Sequence, residues 1–259
     1  MGTWDTYEAR LTVNGVTKRE HALKHTQSRI TSKIVNSLSC HDVLINGVPQ
    51  KISIIDKRQD LALKKICALP GETLVHGGLV DFADSKWLIT ELDANDEVYT
   101  KGLMKRCNYL LKWLDETGAI IEKWCIVEDG TKYLIGEKPK EVMTIGDARM
   151  AITIGKDADT IKLCRGRRFL LDDPDSPRVL AFQITKPNKL FNNYGGVGAF
   201  RFILNEVNVT DDDNTELMIA DYYNWTPGVD AATHVNPDTS LSEIVSDAQN
   251  PVIDEEVWI

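Results

Sequence analysis

His21 and His25 stand four residues apart, a spacing that places two imidazoles on one helix face where they can clamp zinc. Zinc hydrolysis of the metalloprotease type also needs a glutamate directly after the first histidine, and Ala22 stands there. A third ligand would have to come from an acidic residue or one of the three other histidines. Solvated polar residues on a helix therefore explain the pair better than a zinc hydrolase does. Asn193-Tyr194-Gly195-Gly196-Val197-Gly198 is rich in glycine, but no Gly-Lys-Ser/Thr follows and no parallel βαβ context surrounds it. It reads as a loop between strands. Asp211-Asp212-Asp213-Asn214 offers hard oxygens for calcium but lacks the glycine and distal glutamate of an EF-hand loop, so it reads as a solvated turn. Cys40 adjoins His41, but neighbouring residues of a strand point to opposite faces. The chain has no G-x-S-x-G elbow. No enzyme, cofactor or metal is expected.

Charge is more informative. Residues 202–259 hold thirteen acidic residues and no lysine or arginine, in a chain whose net charge is −9, so residues 1–201 are net basic. Such a block cannot bury itself and typically serves as an interaction segment. Its last part, 226–259, shows no sustained periodicity and includes the apolar pair Trp258-Ile259, an anchor for a neighbouring surface. Basic residues cluster twice: Lys101, Lys105, Arg106 and Lys112, then Arg165, Arg167 and Arg168. Each cluster is either a solvated strand face or a docking surface for an acidic partner, which a neighbouring copy's arm could supply. The overall acidity argues against general affinity for nucleic acid or membrane surfaces. No apolar run approaches the length of a membrane span, and the opening lacks the pattern of a signal peptide. Five widely spaced cysteines without a CxxC pair read as buried hydrophobes in a reducing compartment, which makes a cytoplasm the expected place of synthesis.

The elements that would position these residues are mainly β. A first strand is expected over 3–16. Thr17 and Glu20 then form a capping box for a helix from about 18 to 35, with Leu23, Ile30 and Ile34 on one narrow face. Asn46-Gly47 marks a hairpin between strands 43–45 and 51–55. Strands follow over 79–82, 86–92 and 97–101. Residues 103–114 fit either a helix or a strand, and the loop Asp115-Glu116-Thr117-Gly118 favours the strand, paired to 119–127 and then 131–135. These make a small curled sheet or barrel, so that 1–136 forms one domain. The charged breaker 136–140 leads to a second domain, 140–225, with strands at 142–145, 148–154, 160–163, 168–171, 179–185, 200–209 and 216–223. That spacing describes an immunoglobulin-like β-sandwich, although the Cys…Trp…Cys hallmark is missing. The arm 226–259 completes an all-β plan.

The runs Gly77-Gly78-Leu79-Val80-Asp81-Phe82, Lys86-Trp87-Leu88-Ile89-Thr90-Glu91-Leu92-Asp93, Tyr99-Thr100-Lys101-Gly102 and Cys107-Asn108-Tyr109-Leu110-Leu111-Lys112-Trp113 resemble neck proteins of tailed phages and prophages of Firmicutes. The opening Trp4-Asp5-Thr6-Tyr7-Glu8-Ala9-Arg10 and the late Glu216-Leu217-Met218-Ile219-Ala220-Asp221-Tyr222-Tyr223-Asn224 are similar to that group as well. The resemblance covers residues 1 to about 225. It implies a head-closure or head–tail connector component in which a small β-barrel stacks as a ring of its own copies, hexameric or dodecameric. The portal or adaptor would lie on one side, the tail on the other, and packaged DNA would pass through. It implies an outer immunoglobulin-like decoration domain. A tail or baseplate protein with a host-facing domain is the other virion class these features fit.

Overall fold

The computed structural model describes residues 16–57, 60–93, 97–130, 149–173, 176 and 178–224, together with Gly2, Trp4 and Tyr7. The expected strands 131–135 and 142–145, the breaker 136–140 and the arm 226–259 with Trp258 and Ile259 lie outside the described residues. Trp4 and Tyr7 are helical where a first strand was expected, and their rings stack 5.5 Å apart.

Helix α1 spans Lys18–Val35, as the capping pattern predicts. The Thr17 hydroxyl accepts the amide of Glu20 at 3.2 Å, and the Glu20 carboxylate accepts the amide of Val16 at 2.7 Å. Backbone donation from Val16 and Thr17 holds the Glu20 carboxyl below its ordinary range. No residue of α1 is fully buried; Leu23, Gln27, Ile30 and Ile34 are half-covered along one stripe. Arg19 pairs with Glu97 at 2.7 Å, and Gln27 Nε2 donates to the Glu97 carbonyl at 3.1 Å. The helix rests on a barrel connection.

Strands β1 (Cys40–Ile45), β2 (Val48–Asp56), β3 (Leu63–Ala68), β4 (Leu79–Phe82), β5 (Ser85–Asp93) and β6 (Lys101–Arg106) close into an antiparallel barrel in the order β1-β2-β3-β6-β5-β4. Asn46 and Gly47 make the β1–β2 turn with φ of 51° and 81°, the left-handed pair that a two-residue hairpin needs. Ile52, Ile66, Val80, Ile89 and Met104 fill the interior. A barrel this narrow is packed solid by its own side chains and carries nothing through its lumen. Strand β3 was not foreseen, and β6 covers 101–106 instead of 97–101.

Sheet membership changes at Cys107–Asn108. Strands β7 (Tyr109–Leu114) and β8 (Ile120–Asp129), assigned above to the first domain, pair instead with β9 (Arg149–Gly155), β13 (Val197–Val207), β11 (Ala181–Asn188) and β10 (Arg168–Leu170). The order is β10-β11-β13-β9-β8-β7, with the short β12 (Asn193–Tyr194) hairpinned onto β13. In place of two separate sheets, the described strands of this unit form one curled sheet whose edges β7 and β10 turn towards each other. Tyr109 Oη donates to the Leu170 carbonyl at 3.0 Å, Arg167 donates to the Leu114 carbonyl at 2.6 Å, and Trp113 meets Phe169 edge-on at 6.1 Å. Phe182, Phe200, Phe202 and Leu204 fill the curl.

Two other expectations change. Residues 160–163 lie at the end of a one-turn helix, α2 (Ala158–Ile161), and not in a strand, because Asp157 and Thr160 form a reciprocal capping box. Residues 216–223 form turns around a single bridge between Asn214 and Ile219.

Candidate functional site

The barrel and the curled sheet meet backbone to backbone. A Cβ on Gly77 would stand 1.7 Å from the Gly198 carbonyl oxygen, and one on Gly155 would stand 2.4 Å from that of Gly77. Gly77 also has φ of +77°, so two independent constraints require glycine there. Leu88 from the barrel packs with Ile126 and Ala199 of the sheet, with Leu79 and Trp124 alongside. Lys105 of β6 bonds Glu128 of β8 across the joint.

Beside this joint opens a cleft of about 410 Å³, lined by residues that include His76, Leu88, Lys123, Trp124, Lys156 and Val197. Most of its charges are matched in place: Lys86 with Asp81 at 2.6 Å, and Lys123 with Asp157 and Asp159 at 2.7 and 2.9 Å, while Lys156 donates to the Asn193 amide oxygen at 2.8 Å. Burial works against the charge of Lys123 and of Asp157, but their mutual hydrogen bonding prevails, raising the lysine's pKa and lowering the aspartate's. His76 is only 5% exposed, its Nδ1 is buried without a hydrogen-bond partner, and burial lowers its pKa. Its ring meets Tyr194 edge-on at 5.1 Å. Among the described residues, none in the cleft pairs a nucleophile with a base.

The residues marked out by sequence are dispersed. Lys101 pairs with Asp93 at 3.4 Å, Lys105 with Glu128, and Lys112 with Glu122, its cross-strand neighbour, at 3.0 Å. Arg106 and Arg165 are exposed. Arg167 reaches inward to the Leu114 carbonyl, and burial lowers its pKa. Arg168 is a structural hub that sequence reasoning missed. It binds Asp213 at 2.7 Å, Asp221 at 2.5 Å and the Asn208 carbonyl at 2.9 Å, with its side chain 13% exposed and that of Asp213 fully buried. Burial opposes its charge, but Asp221 and Asp213 outweigh that and raise its pKa. Lys101, Lys105, Lys112 and Arg168 of these basic clusters thus pair with acids of the same chain.

Asp213 also accepts amides from Thr210 and Asp221, so its carboxylate joins this turn to Arg168. His21 and His25 are exposed on α1, and no group of three metal-ligating side chains occurs among the described residues. Cys107 and Cys125 are buried, and burial raises the Cys107 thiol to about 12 and moves Cys125 further in the same direction. No helix among the described residues is long and apolar enough to cross a membrane.

Residues 11–106 match the family model of the YomX N-terminal domain, a family associated with Bacillus-type prophages. The match covers well under half of the chain and stops at Arg106, the last residue of the closed barrel. No curated protein and no solved structure matches the chain.

Proposed function

We propose that this chain is a non-enzymatic structural component of a tailed-phage virion, placed as a ring at the head–tail joint. It would link portal or adaptor to tail and help retain packaged DNA. The observation that carries the reading is the coincidence between the prophage-associated match over 11–106 and the α1-plus-barrel unit that ends at Arg106. The sequence resemblance to neck proteins supplies the position within the virion. Two further features support a scaffold role. The two β units are joined through glycine backbones too close to admit a side chain, which suits a part that transmits load. The Lys123, Asp157 and Asp159 side chains of the cleft region are paired with one another, and Asp157 caps a helix, so these charges serve the fold. Because the barrel lumen is filled, DNA would pass through the centre of a ring of copies and not through any one barrel. Immunogold labelling of purified particles tests the assignment: label at the head–tail joint is expected. Label confined to the tail tip would favour the baseplate reading, and unlabelled virions would remove the protein from the particle.

A further inference from the structure

We propose that the loop and hairpin over residues 189–197 are the docking site for residues 225–259 of a second copy of this chain. The proposal does not rest on where in a virion the protein sits. Single exposed apolar residues are ordinary on a protein surface, but here they gather. Leu190 is 87% exposed, Phe191 71% and Tyr194 62%, with Val197 and Ile161 also open to solvent. Ile161 adjoins the loop, since Lys189 Nζ donates to its carbonyl.

Two ammonium groups flank this patch. Lys156 Nζ donates to Asn193 Oδ1 at 2.8 Å, so both it and Lys189 are held by neutral oxygens. Lys101, Lys105, Lys112 and Lys123, by contrast, sit against carboxylates. The hairpin is therefore an apolar, aromatic surface flanked by two ammonium groups that are held by neutral oxygens and, among the described residues, face no carboxylate in an ion pair.

Residues 225–259 have the complementary composition: seven acids, no lysine or arginine, and the run Val252-Ile253-Asp254-Glu255-Glu256-Val257-Trp258-Ile259, apolar on both sides of three carboxylates. An aromatic anchor flanked by acids fits an aromatic patch flanked by lysines. A neighbour's segment reaches the hairpin without first running back across its own sheet. The hairpin lies at the start of the eleven-residue β13, and residues 208–224 follow its far end, where Arg168 ties them to β10. Entrance and exit are thus roughly 36 Å apart at the rise of a β-strand. In a head-to-tail arrangement each segment meets the next copy's hairpin, a heterologous contact that can close into a ring.

The test uses the full-length chain with photoreactive benzoylphenylalanine in place of Phe191. Equal amounts of protein grown on light and heavy nitrogen are mixed, irradiated and digested. Mixed-isotope crosslinks from position 191 to peptides of 225–259 are expected. Same-isotope crosslinks alone would show the segment folding back on its own body, and crosslinks to any other region, or none, would remove it from the hairpin; each result overturns the proposal. In parallel, sedimentation of the full-length Phe191→Ser/Lys189→Glu variant should show self-association about tenfold weaker. The Lys112→Glu variant should associate as the wild type does. Equal association by all three would also overturn it.

Discussion

Arg168 shows most clearly what a sequence conceals at the scale of one residue. Arg165, Arg167 and Arg168 read as one basic cluster, yet Arg165 is exposed while the other two reach different internal acceptors. Spacing reveals that strand neighbours face opposite ways, but not which acids wait on each side. Asp213 and Asp221 lie more than forty residues downstream, so no local pattern joins them to Arg168. Replacing Arg168 leaves the buried Asp213 without its partner. Arg168→Gln should therefore cost about 2–4 kcal/mol of stability in denaturant melts, whereas Lys112→Gln, at a half-exposed cross-strand pair, should cost no more than about 1 kcal/mol. The cysteine reading needed only hydrophobicity and spacing; Cys107 and Cys125 are buried as expected, whereas Cys40, Cys67 and Cys164 are only half-covered.

At the scale of elements, strong local signals survived and diluted ones did not. Thr17 with Glu20 and Asn46-Gly47 each define a backbone geometry by themselves, and both elements formed where they were expected. Strand β3 was hidden by its lysines: Lys64 holds its ammonium over the Phe82 and Trp87 rings and bonds Asp56, so a residue that reads as solvated is largely covered. Helix α2 carried a legible signal, Asp157 three residues before Thr160, which the β-rich run after it outweighed. Asp157 makes a pH prediction. Its folded carboxyl titrates below the ordinary 3.8, so its stabilisation is complete above that value and is lost as pH falls through the folded one. Acid titration of Asp157→Asn should lack that part of the transition. His76 acts at higher pH. Its folded pKa lies below 6.5, so the unfolded chain takes up the proton first and stability declines as pH drops beneath 6.5. Melting temperatures between pH 7.5 and 5 should show a shallower slope in His76→Gln than in the wild type. The glycine junction gives a steric test. Gly77→Ala forces a backbone shift and should destabilise by roughly 1–3 kcal/mol or more. Gly195→Ala, at φ of +63° in open space, should cost only about 1–2 kcal/mol.

For the whole molecule, the mainly β class was legible from the frequency of short strands and turn residues. The division between the units was not, because β7 and β8 look alike whichever sheet they join. Their partner is chosen by pairing across a long gap, Ile126 with Thr153 and Val127 with Ile152. A protease site inserted between residues 131 and 148 should therefore yield two fragments that stay together through β8 and β9. Co-elution of the nicked halves under native conditions checks this, and their separation would return the boundary to residues 136–140. The central claim, a ring at the head–tail joint, is tested most directly by a cryo-EM reconstruction of the virion portal vertex. The account predicts density fitting α1 and the barrel, with the curled sheet attached, repeated as a ring between portal and tail around the DNA path. Density for this fold at the baseplate alone, or nowhere in the particle, would contradict it.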